Sequence, residues 1–302
     1  MKDIPFVTEF EFEYGRADAL SPRIRRVIAN NPSPFTFTGT GTYIIGNGAV
    51  AIIDPGPLLD EHIEAICAAL RPDETVSHIL VTHTHNDHSP ACAPLKQKTG
   101  APIYGRKIKP QKISDMPKLE EDNDDSFTPD MIVEHGQIIA GDDWTLEAVH
   151  TPGHMSNHIC YALQEEKALF TGDHVMGWST SIIVPPDGNM HDYMASLNHL
   201  LTRDDEIYWP THGTCIRDPK NFVRAYIAHR RNRETQIIAR LKAGDNDIRT
   251  MVASIYADID KKLHGAAAMS VLAHIEDLVI RERVAIKGDG APTLGSQYQL
   301  IR

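Results

Sequence analysis

The sequence predicts a layered α/β fold followed by a small helical C-terminal domain. Over the first two thirds of the chain, short apolar runs alternate with amphipathic stretches, and polar residues gather where the apolar runs end. That alternation is typical of strands and helices packed in layers, with a functional site on the loops beyond the strands. After about Asp218 the pattern changes to long stretches of helical period. We therefore predict two domains, residues 1–217 and 218–302.

The first elements are predicted to be a hairpin, a helix and a buried strand. Two apolar runs in residues 42–54 flank Asn47-Gly48, which is a strong hairpin-turn signal. Residues 60–71 place apolar side chains at helical spacing on one face. The run 77–82 predicts a short buried strand that leads directly into a histidine-rich stretch. Four further strands are predicted in the segments TLEAVHT, HICYAL, KALFTGD and EIYWPTH.

The C-terminal part predicts three helices. The longest covers residues 219–244, where Pro219 suits the first turn and Gly244 the end. Residues 247–259 and 266–284 follow with the same helical spacing of apolar side chains, and a short tail of strand character comes after them. This pattern indicates a small helical domain.

Composition narrows the class of protein. The net charge of −11 disfavours indiscriminate binding to nucleic acid, and 41% hydrophobic residues are enough for a substantial core. The N-terminal stretch is acidic and has no apolar segment, so we expect no signal peptide and no membrane span. The cysteines lie far apart without a CxxC pair, so we expect reduced thiols in a cytoplasmic protein. They are Cys67, Cys92, Cys160 and Cys215.

The stretch VTHTHNDHSP, residues 81–90, holds three histidines and one aspartate within six residues. Because side chains two apart in an extended segment point the same way, His83 and His85 can reach one cation. Asp87 and His88 follow as the chain turns towards the next helix, and they can reach a second cation. Neutral imidazole and carboxylate are usual ligands of Zn²⁺. The stretch therefore predicts a metal site.

Three isolated polar residues are predicted to complete this site. His154 follows a tight turn at Pro152-Gly153, Asp173 ends the strand KALFTGD, and His212 ends EIYWPTH. In each case an apolar strand delivers a polar side chain at its C-terminal tip. Together with the first cluster, these residues supply enough ligands for two coordination shells.

The motifs HTHNDH, TPGH, TGDH and PTHG, in this order, resemble those of the metallo-β-lactamase superfamily of hydrolases over roughly residues 35–215. The resemblance implies an αββα sandwich that binds two metal ions. It implies that His83, His85 and His154 bind the first metal, that Asp87, His88 and His212 bind the second, and that Asp173 bridges both. More loosely, the C-terminal part resembles the β-lactamase-like-2 branch, which carries a winged-helix-like C-terminal domain and includes a single-strand-specific mitochondrial endoribonuclease.

Such a centre predicts a hydrolase that uses a metal-bridging hydroxide. Two zinc ions per chain are expected, with manganese as the alternative. Asp87 is predicted to orient the hydroxide as well as to bind metal. His158 is predicted to contact substrate or protonate a leaving group, with an ordinary strand histidine bonded to backbone as the alternative. Asp54 is predicted either to accept a hydrogen bond from a ligand histidine or to begin the turn at Pro55.

The first substrate hypothesis is single-stranded RNA, cut by a phosphodiesterase activity. Its support is the branch resemblance and six basic residues between positions 217 and 233 that face a single acid. Such a patch can meet phosphates, and a solvated helix face is the alternative. The six are Arg217, Lys220, Arg224, Arg230, Arg231 and Arg233.

The second hypothesis is a small-molecule ester, thioester or lactone, with weak β-lactamase activity as a side reaction. The overall acidity of the chain favours it, and so does the lack of an obvious series of aromatic residues on which bases could stack. The sequence leaves the oligomeric state open, and a homodimer through the C-terminal helices is one arrangement that it allows.

Overall fold

The structure, a computed structural model, describes residues 4–108, 123–258 and 260–301. Two β-sheets lie face to face. The first has seven strands in chain order: β1 (Ala17–Ala19), β2 (Ile24–Ile28), β3 (Gly41–Ile45), β4 (Ala49–Ile53), β5 (Thr75–Leu80), β6 (Ile103–Gly105) and β7 (Met131–Ile132). The second has five strands in the spatial order β12 (Ile207–Pro210), β11 (Ala168–Gly172), β10 (Ile159–Leu163), β9 (Thr145–His150) and β8 (Ile138–Ala140).

Helices cover the outer face of each sheet. Helices α1 (Asp60–Ala68) and α2 (Cys92–Thr99) pack on the first sheet, and α3 (Met190–Leu200) and the first half of α4 (Pro219–Lys242) pack on the second. The inner faces of the two sheets share a core that includes Tyr43, Tyr161 and Phe170. This is the predicted αββα sandwich, and it explains why central strands such as β3, β10 and β11 are buried on both faces.

A smaller layer follows the sandwich. Helices α5 (Ile248–Ile255) and α6 (His264–Ile280), together with the hairpin β13 (Val284–Ile286) and β14 (Tyr298–Leu300), enclose a separate core. The second half of α4 contributes Ile237 and Leu241 to that core. Helix α4 is therefore shared between the sandwich and the C-terminal part. In the described part of the chain, no helix has the length and apolar character needed to cross a membrane.

The topology brings several loops to one edge of the sandwich. Strands β4 and β5 run parallel in the first sheet, and β11 and β12 run parallel in the second. Because the carboxyl ends of parallel strands meet at the same edge, the residues that follow each strand are brought close together. The residues after β5, β11 and β12 include the histidine-rich stretch, Asp173 and His212.

Candidate metal centre

All seven predicted ligands converge at this edge. They come from four loops: those after β5, β9, β11 and β12. All except Asp87 are buried. The structure arranges them in two groups of three with Asp173 between the groups. The seven are His83, His85, Asp87, His88, His154, Asp173 and His212.

Three imidazoles form the first group. Nδ1 of His85 lies 3.0 Å from Nε2 of His83 and 3.2 Å from Nε2 of His154. One carboxylate oxygen of Asp173, Oδ2, lies 4.0 Å from the same His154 nitrogen. Three ring nitrogens and one oxygen thus surround a single point, as ligands of a tetrahedral cation do.

A carboxylate and two imidazoles form the second group. Oδ2 of Asp87 lies 3.1 Å from Nε2 of His212 and 3.3 Å from Nε2 of His88. The other oxygen of Asp173, Oδ1, lies 3.5 Å from the His212 nitrogen and 3.6 Å from the His88 nitrogen. Asp173 therefore turns one oxygen to each group, which is the arrangement expected of a bridging carboxylate.

Two buried atoms at the centre of this arrangement make no hydrogen bond with any residue that the structure describes. They are Nε2 of His88 and Oδ1 of Asp173. Buried polar atoms nearly always have a hydrogen-bond or metal partner, so a nitrogen and an oxygen that face one another without one indicate a ligand-binding site. A cation would satisfy both, and the residues present therefore fit a metal ion.

Glycine makes one of the close approaches at this edge. Gly172, which ends β11, has a φ of +51°, and a β-carbon there would lie 2.6 Å from Nε2 of His158 and 2.7 Å from Oγ1 of Thr82. A larger residue would push β11 away from β5, and Asp173 would move with it.

Carbonyl groups orient two of the histidines. Nδ1 of His154 donates to the carbonyl of Ile182 at 2.6 Å, and Nδ1 of His212 donates to the carbonyl of Gly39 at 3.1 Å. These bonds occupy Nδ1 of each ring and direct its Nε2 atom into the centre, where Nε2 is the nitrogen available to a cation. Fixing the tautomer in this way is typical of metal-binding histidines.

Asp54 orients His88 from beneath. It is fully buried with a φ of +50°, and its Oδ2 accepts from Nδ1 of His88 at 2.9 Å. The same carboxylate accepts from the amide and hydroxyl of Thr82, both at 2.8 Å, and from the hydroxyl of Thr211 at 2.9 Å. Of the two predicted roles, the geometry matches that of acceptor for a ligand histidine.

The electrostatics keep the first group neutral. Burial lowers the pKa of His83 well below its ordinary value, and neighbouring histidines lower it further. Burial, together with His154, lowers the pKa of His85 to about 3. These rings are therefore unprotonated at neutral pH, which is the form in which imidazole binds a cation.

The second group balances charge internally. Burial disfavours the charged form of His212, but the carboxylates of Asp173 and Asp87 outweigh it and raise its pKa to about 10. Burial likewise opposes ionisation of Asp173, but His212 and His88 hold its pKa well below the ordinary range. The carboxylates are thus ionised, and a cation would take over the role of the two protons on the imidazoles.

His158 does not have the catalytic geometry predicted for it. It is fully buried; its Nε2 accepts the backbone N–H of Asp173 at 3.2 Å and its Nδ1 donates to Oγ1 of Thr151 at 2.9 Å. Both ring nitrogens are used inside the fold, so neither can protonate a leaving group. Instead, His158 holds the backbone of Asp173, and the alternative of an ordinary backbone-bonded histidine is the better description.

The basic patch is smaller than predicted. Arg230 is only 4% exposed, and the guanidinium of Arg233 stacks on the ring of Tyr256, 4.1 Å from its centre. Both residues are close in sequence to exposed basic residues, but their side chains lie on the inward-facing sides of α4. The four basic residues that remain exposed are Arg217, Lys220, Arg224 and Arg231.

Three aromatic residues that are far apart in the sequence lie close together in the structure, near the loop that follows β12. Phe37 and Trp178 stack with ring centres 4.8 Å apart, and Phe10 lies 6.3 Å from Phe37. Phe37 is two residues before Gly39, and a β-carbon on Gly213 would lie 3.4 Å from Trp178. No aromatic series is obvious in the sequence because these residues are far apart along the chain, and the fold brings them together.

The centre and its supports match a known family. Residues 36–212 match the Metallo-beta-lactamase superfamily, and residues 248–291 match the Beta-lactamase associated winged helix domain. The second match covers α5, α6 and β13, and it confirms the predicted winged-helix-like C-terminal region.

Two relatives show the same kinship. The chain is 34% identical to an atrochrysone carboxyl ACP thioesterase of Cryptosporiopsis sp., over 78% of this chain and 67% of that protein. It is 33% identical to a beta-lactamase-like protein 2 homolog of Caenorhabditis elegans, over 80% of this chain and 79% of that protein.

A solved structure shares the fold over nearly the whole chain. It is a metallo-beta-lactamase family protein of Thermus thermophilus, with a TM-score of 0.74 and 19% identity, covering 94% of this chain and all of that one. A beta-lactamase domain protein of Burkholderia ambifaria gives a TM-score of 0.76 at 17% identity, covering 95% of this chain and 94% of that one. The chain therefore belongs to the metallo-beta-lactamase superfamily of hydrolases, with a beta-lactamase-associated winged helix domain at its C-terminal end.

Proposed function

We propose that the protein is a binuclear zinc hydrolase acting on acyl thioesters or related esters. The observation that carries the binuclear part is the position of Asp173, whose two oxygens face two separate groups of donors. Zinc is proposed over manganese because five of the donors are imidazoles and two are carboxylates, a set that favours zinc.

Two cations bound here would supply a water of lowered pKa and polarise the substrate carbonyl. Asp87 is the donor best placed to meet the water, since its side chain is 18% exposed while that of His88 is fully buried. The hydroxyl of Thr40 donates to Oδ2 of Asp87 at 3.0 Å and holds that oxygen towards His212. We propose that the remaining Asp87 oxygen orients the water for attack.

A groove whose lining includes residues that follow two of the ligands along the chain favours a substrate with an extended tail. It encloses about 1030 Å³ between the N-terminal segment and the first half of α4. Thr214 and Gly177 form part of its wall, two residues beyond His212 and four beyond Asp173. Apolar side chains line it beside Arg217 and Arg224. This mixture suits an acyl carrier group that bears phosphate, such as that of a coenzyme A thioester.

The relatives support the same substrate class. Several of those that are 31–34% identical bear the name atrochrysone carboxyl ACP thioesterase. The inward position of Arg230 and Arg233 removes a third of the basic patch that favoured RNA. A cytoplasmic location is part of the proposal, since all four cysteines are free thiols.

Cleavage of single-stranded RNA is the second candidate. The observations in its favour are the four exposed basic residues, three on α4 and Arg217 just before it, and the stacked pair Phe37 and Trp178. Single-strand binders combine such a basic track with aromatic platforms.

One parallel assay separates the two candidates. A medium-chain acyl-coenzyme A, the same acyl group on N-acetylcysteamine, a lactone and labelled single-stranded RNA are each incubated with the zinc-loaded protein. We expect both thioesters to be hydrolysed and the RNA to stay intact. RNA cleavage without thioester turnover would reverse the assignment.

Arg224→Ala tests the groove, with Arg231→Ala as its matched control on the same helix. Because the contact is exposed, we expect Arg224→Ala to raise KM for the coenzyme A thioester by about 2- to 5-fold. KM for the N-acetylcysteamine thioester, which lacks the phosphate, should stay the same. An equal effect on both thioesters would show that the groove does not hold the phosphate-bearing tail.

A further inference from the structure

One segment of the chain positions ligands of both groups of donors. We call residues 173–182 the ligand loop. It begins at Asp173, which faces both groups, and ends at Ile182, whose carbonyl accepts from His154 at 2.6 Å. Within it, the hydroxyl of Ser181 donates to the carbonyl of Asp173 at 2.6 Å and closes the loop on itself. A shift of the loop would therefore displace the bridging carboxylate and the orientation of His154 together.

Helix α4 holds the middle of the ligand loop through Tyr226. Its hydroxyl lies 2.6 Å from the carbonyl of Met176 and 2.5 Å from that of Ser179, to which it can donate. The same oxygen accepts the N–H of Met176 at 3.1 Å. Tyr226 is fully buried, so water cannot replace these bonds. Losing the hydroxyl would leave backbone groups of the loop without a partner.

Helix α4 holds the end of the ligand loop through Arg230, one turn further on. A guanidinium nitrogen of Arg230 donates to the carbonyl of Ser181, next to Ile182. The guanidinium also lies over the ring of Tyr193, 5.2 Å from its centre, and the hydroxyl of Tyr193 donates to the carbonyl of His174 at 2.8 Å.

Burial of Arg230 is unfavourable unless its contacts compensate for it. The residue is 4% exposed, and among the described residues it makes no ion pair with a carboxylate. A buried guanidinium without a counter-charge destabilises the fold, and an apolar residue could fill the same space without that penalty. Arg230 makes contacts with the ligand loop that an apolar residue could not make. This indicates a role beyond packing.

We propose that Tyr226 and Arg230 are positioning residues for the metal centre. Tyr226 fixes the loop that follows Asp173, and Arg230 fixes Ser181-Ile182 and hence the ring of His154. Since the second half of α4 lies in the C-terminal core, the winged helix domain supports the centre through this helix. The proposal rests on the proposed metal centre and is independent of the substrate.

The test measures zinc affinity in the full chain. Metal-free protein is titrated with zinc against a chromophoric chelator, and thermal unfolding of the metal-free protein is followed separately. We expect Tyr226→Phe and Arg230→Met to weaken zinc binding by about 10- to 100-fold, the usual effect of removing a group that orients a ligand. Arg230→Lys should restore part of the affinity, since it keeps one donor. Arg231→Met, an exposed neighbour, should bind zinc like the wild type.

The outcomes distinguish a positioning role of Tyr226 and Arg230 from a role in fold stability alone. If Tyr226→Phe and Arg230→Met lower only the unfolding temperature and bind zinc as the wild type does, the proposal is wrong. Should Arg230→Met not fold, Tyr226→Phe decides alone, because it keeps the buried ring. A wild-type chain that takes up no zinc would overturn the proposed centre and this proposal together.

Discussion

Replacing Asp173 by asparagine is expected to lower kcat for hydrolysis by at least about 10²- to 10³-fold, as loss of a preorganised electrostatic element does. Asparagine has nearly the same shape, but it is neutral and offers one carbonyl oxygen in place of two. It can therefore face one group of donors and not both. Thioester turnover and bound zinc are measured on the same preparation, and we expect the zinc content to fall towards one ion per chain.

A buried aspartate outside the centre provides the control for this substitution. Asp205 is 9% exposed and forms an ion pair with Arg203 at 2.7 Å. Asp205→Asn should lower the unfolding temperature and leave kcat and zinc content unchanged. Wild-type turnover in Asp173→Asn would show that a carboxylate at this position is not needed and would remove the bridging role.

Replacing Asp54 is expected to have the largest effect on stability. Asp54→Ala leaves four donors from Thr82, Thr211 and His88 without their acceptor in a buried site. It also places a residue that disfavours the left-handed region at a φ of +50°. We expect a loss of about 3–5 kcal/mol in the free energy of unfolding, as for other buried charges that lose a partner. Urea unfolding of the metal-free protein measures it.

Asp54→Asn distinguishes the effect of Asp54 on the stability of the fold from its effect on zinc affinity. Asparagine tolerates a positive φ and keeps an acceptor, so this variant should fold with a much smaller loss of stability than Asp54→Ala. It loses the negative charge beside His88, and we expect zinc affinity to drop by about 10- to 100-fold. An Asp54→Asn protein with wild-type zinc affinity would show that the Asp54–His88 bond does not support the centre.

The sequence was sufficient for the parts of the fold that depend on local pattern. The turn at Asn47-Gly48 and the helical spacing in residues 219–244 each have a short-range signal, and the structure has β3–β4 and α4 there. The convergence of the ligands was also predictable. Each follows an apolar strand, and parallel strands bring their carboxyl ends to one edge.

Contacts between distant parts of the chain could not be predicted in the same way. His158 looked like a polar residue at a strand start, but its partner is the backbone of Asp173, just after the neighbouring strand β11. Periodicity indicates that α4 has an inner face and does not say what that face meets. Arg230 was therefore predicted to belong to an exposed basic patch or a solvated helix face, whereas it reaches the carbonyl of Ser181.

The two groups of donors around Asp173 should bind two metal ions in each chain. Titration of the metal-free protein with zinc, read out by elemental analysis after removal of unbound metal and repeated with Asp173→Asn, tests this directly. We expect two zinc ions per wild-type chain and a zinc content closer to one ion per chain in the variant. A wild-type chain that holds one zinc ion or none at saturation would contradict the binuclear centre.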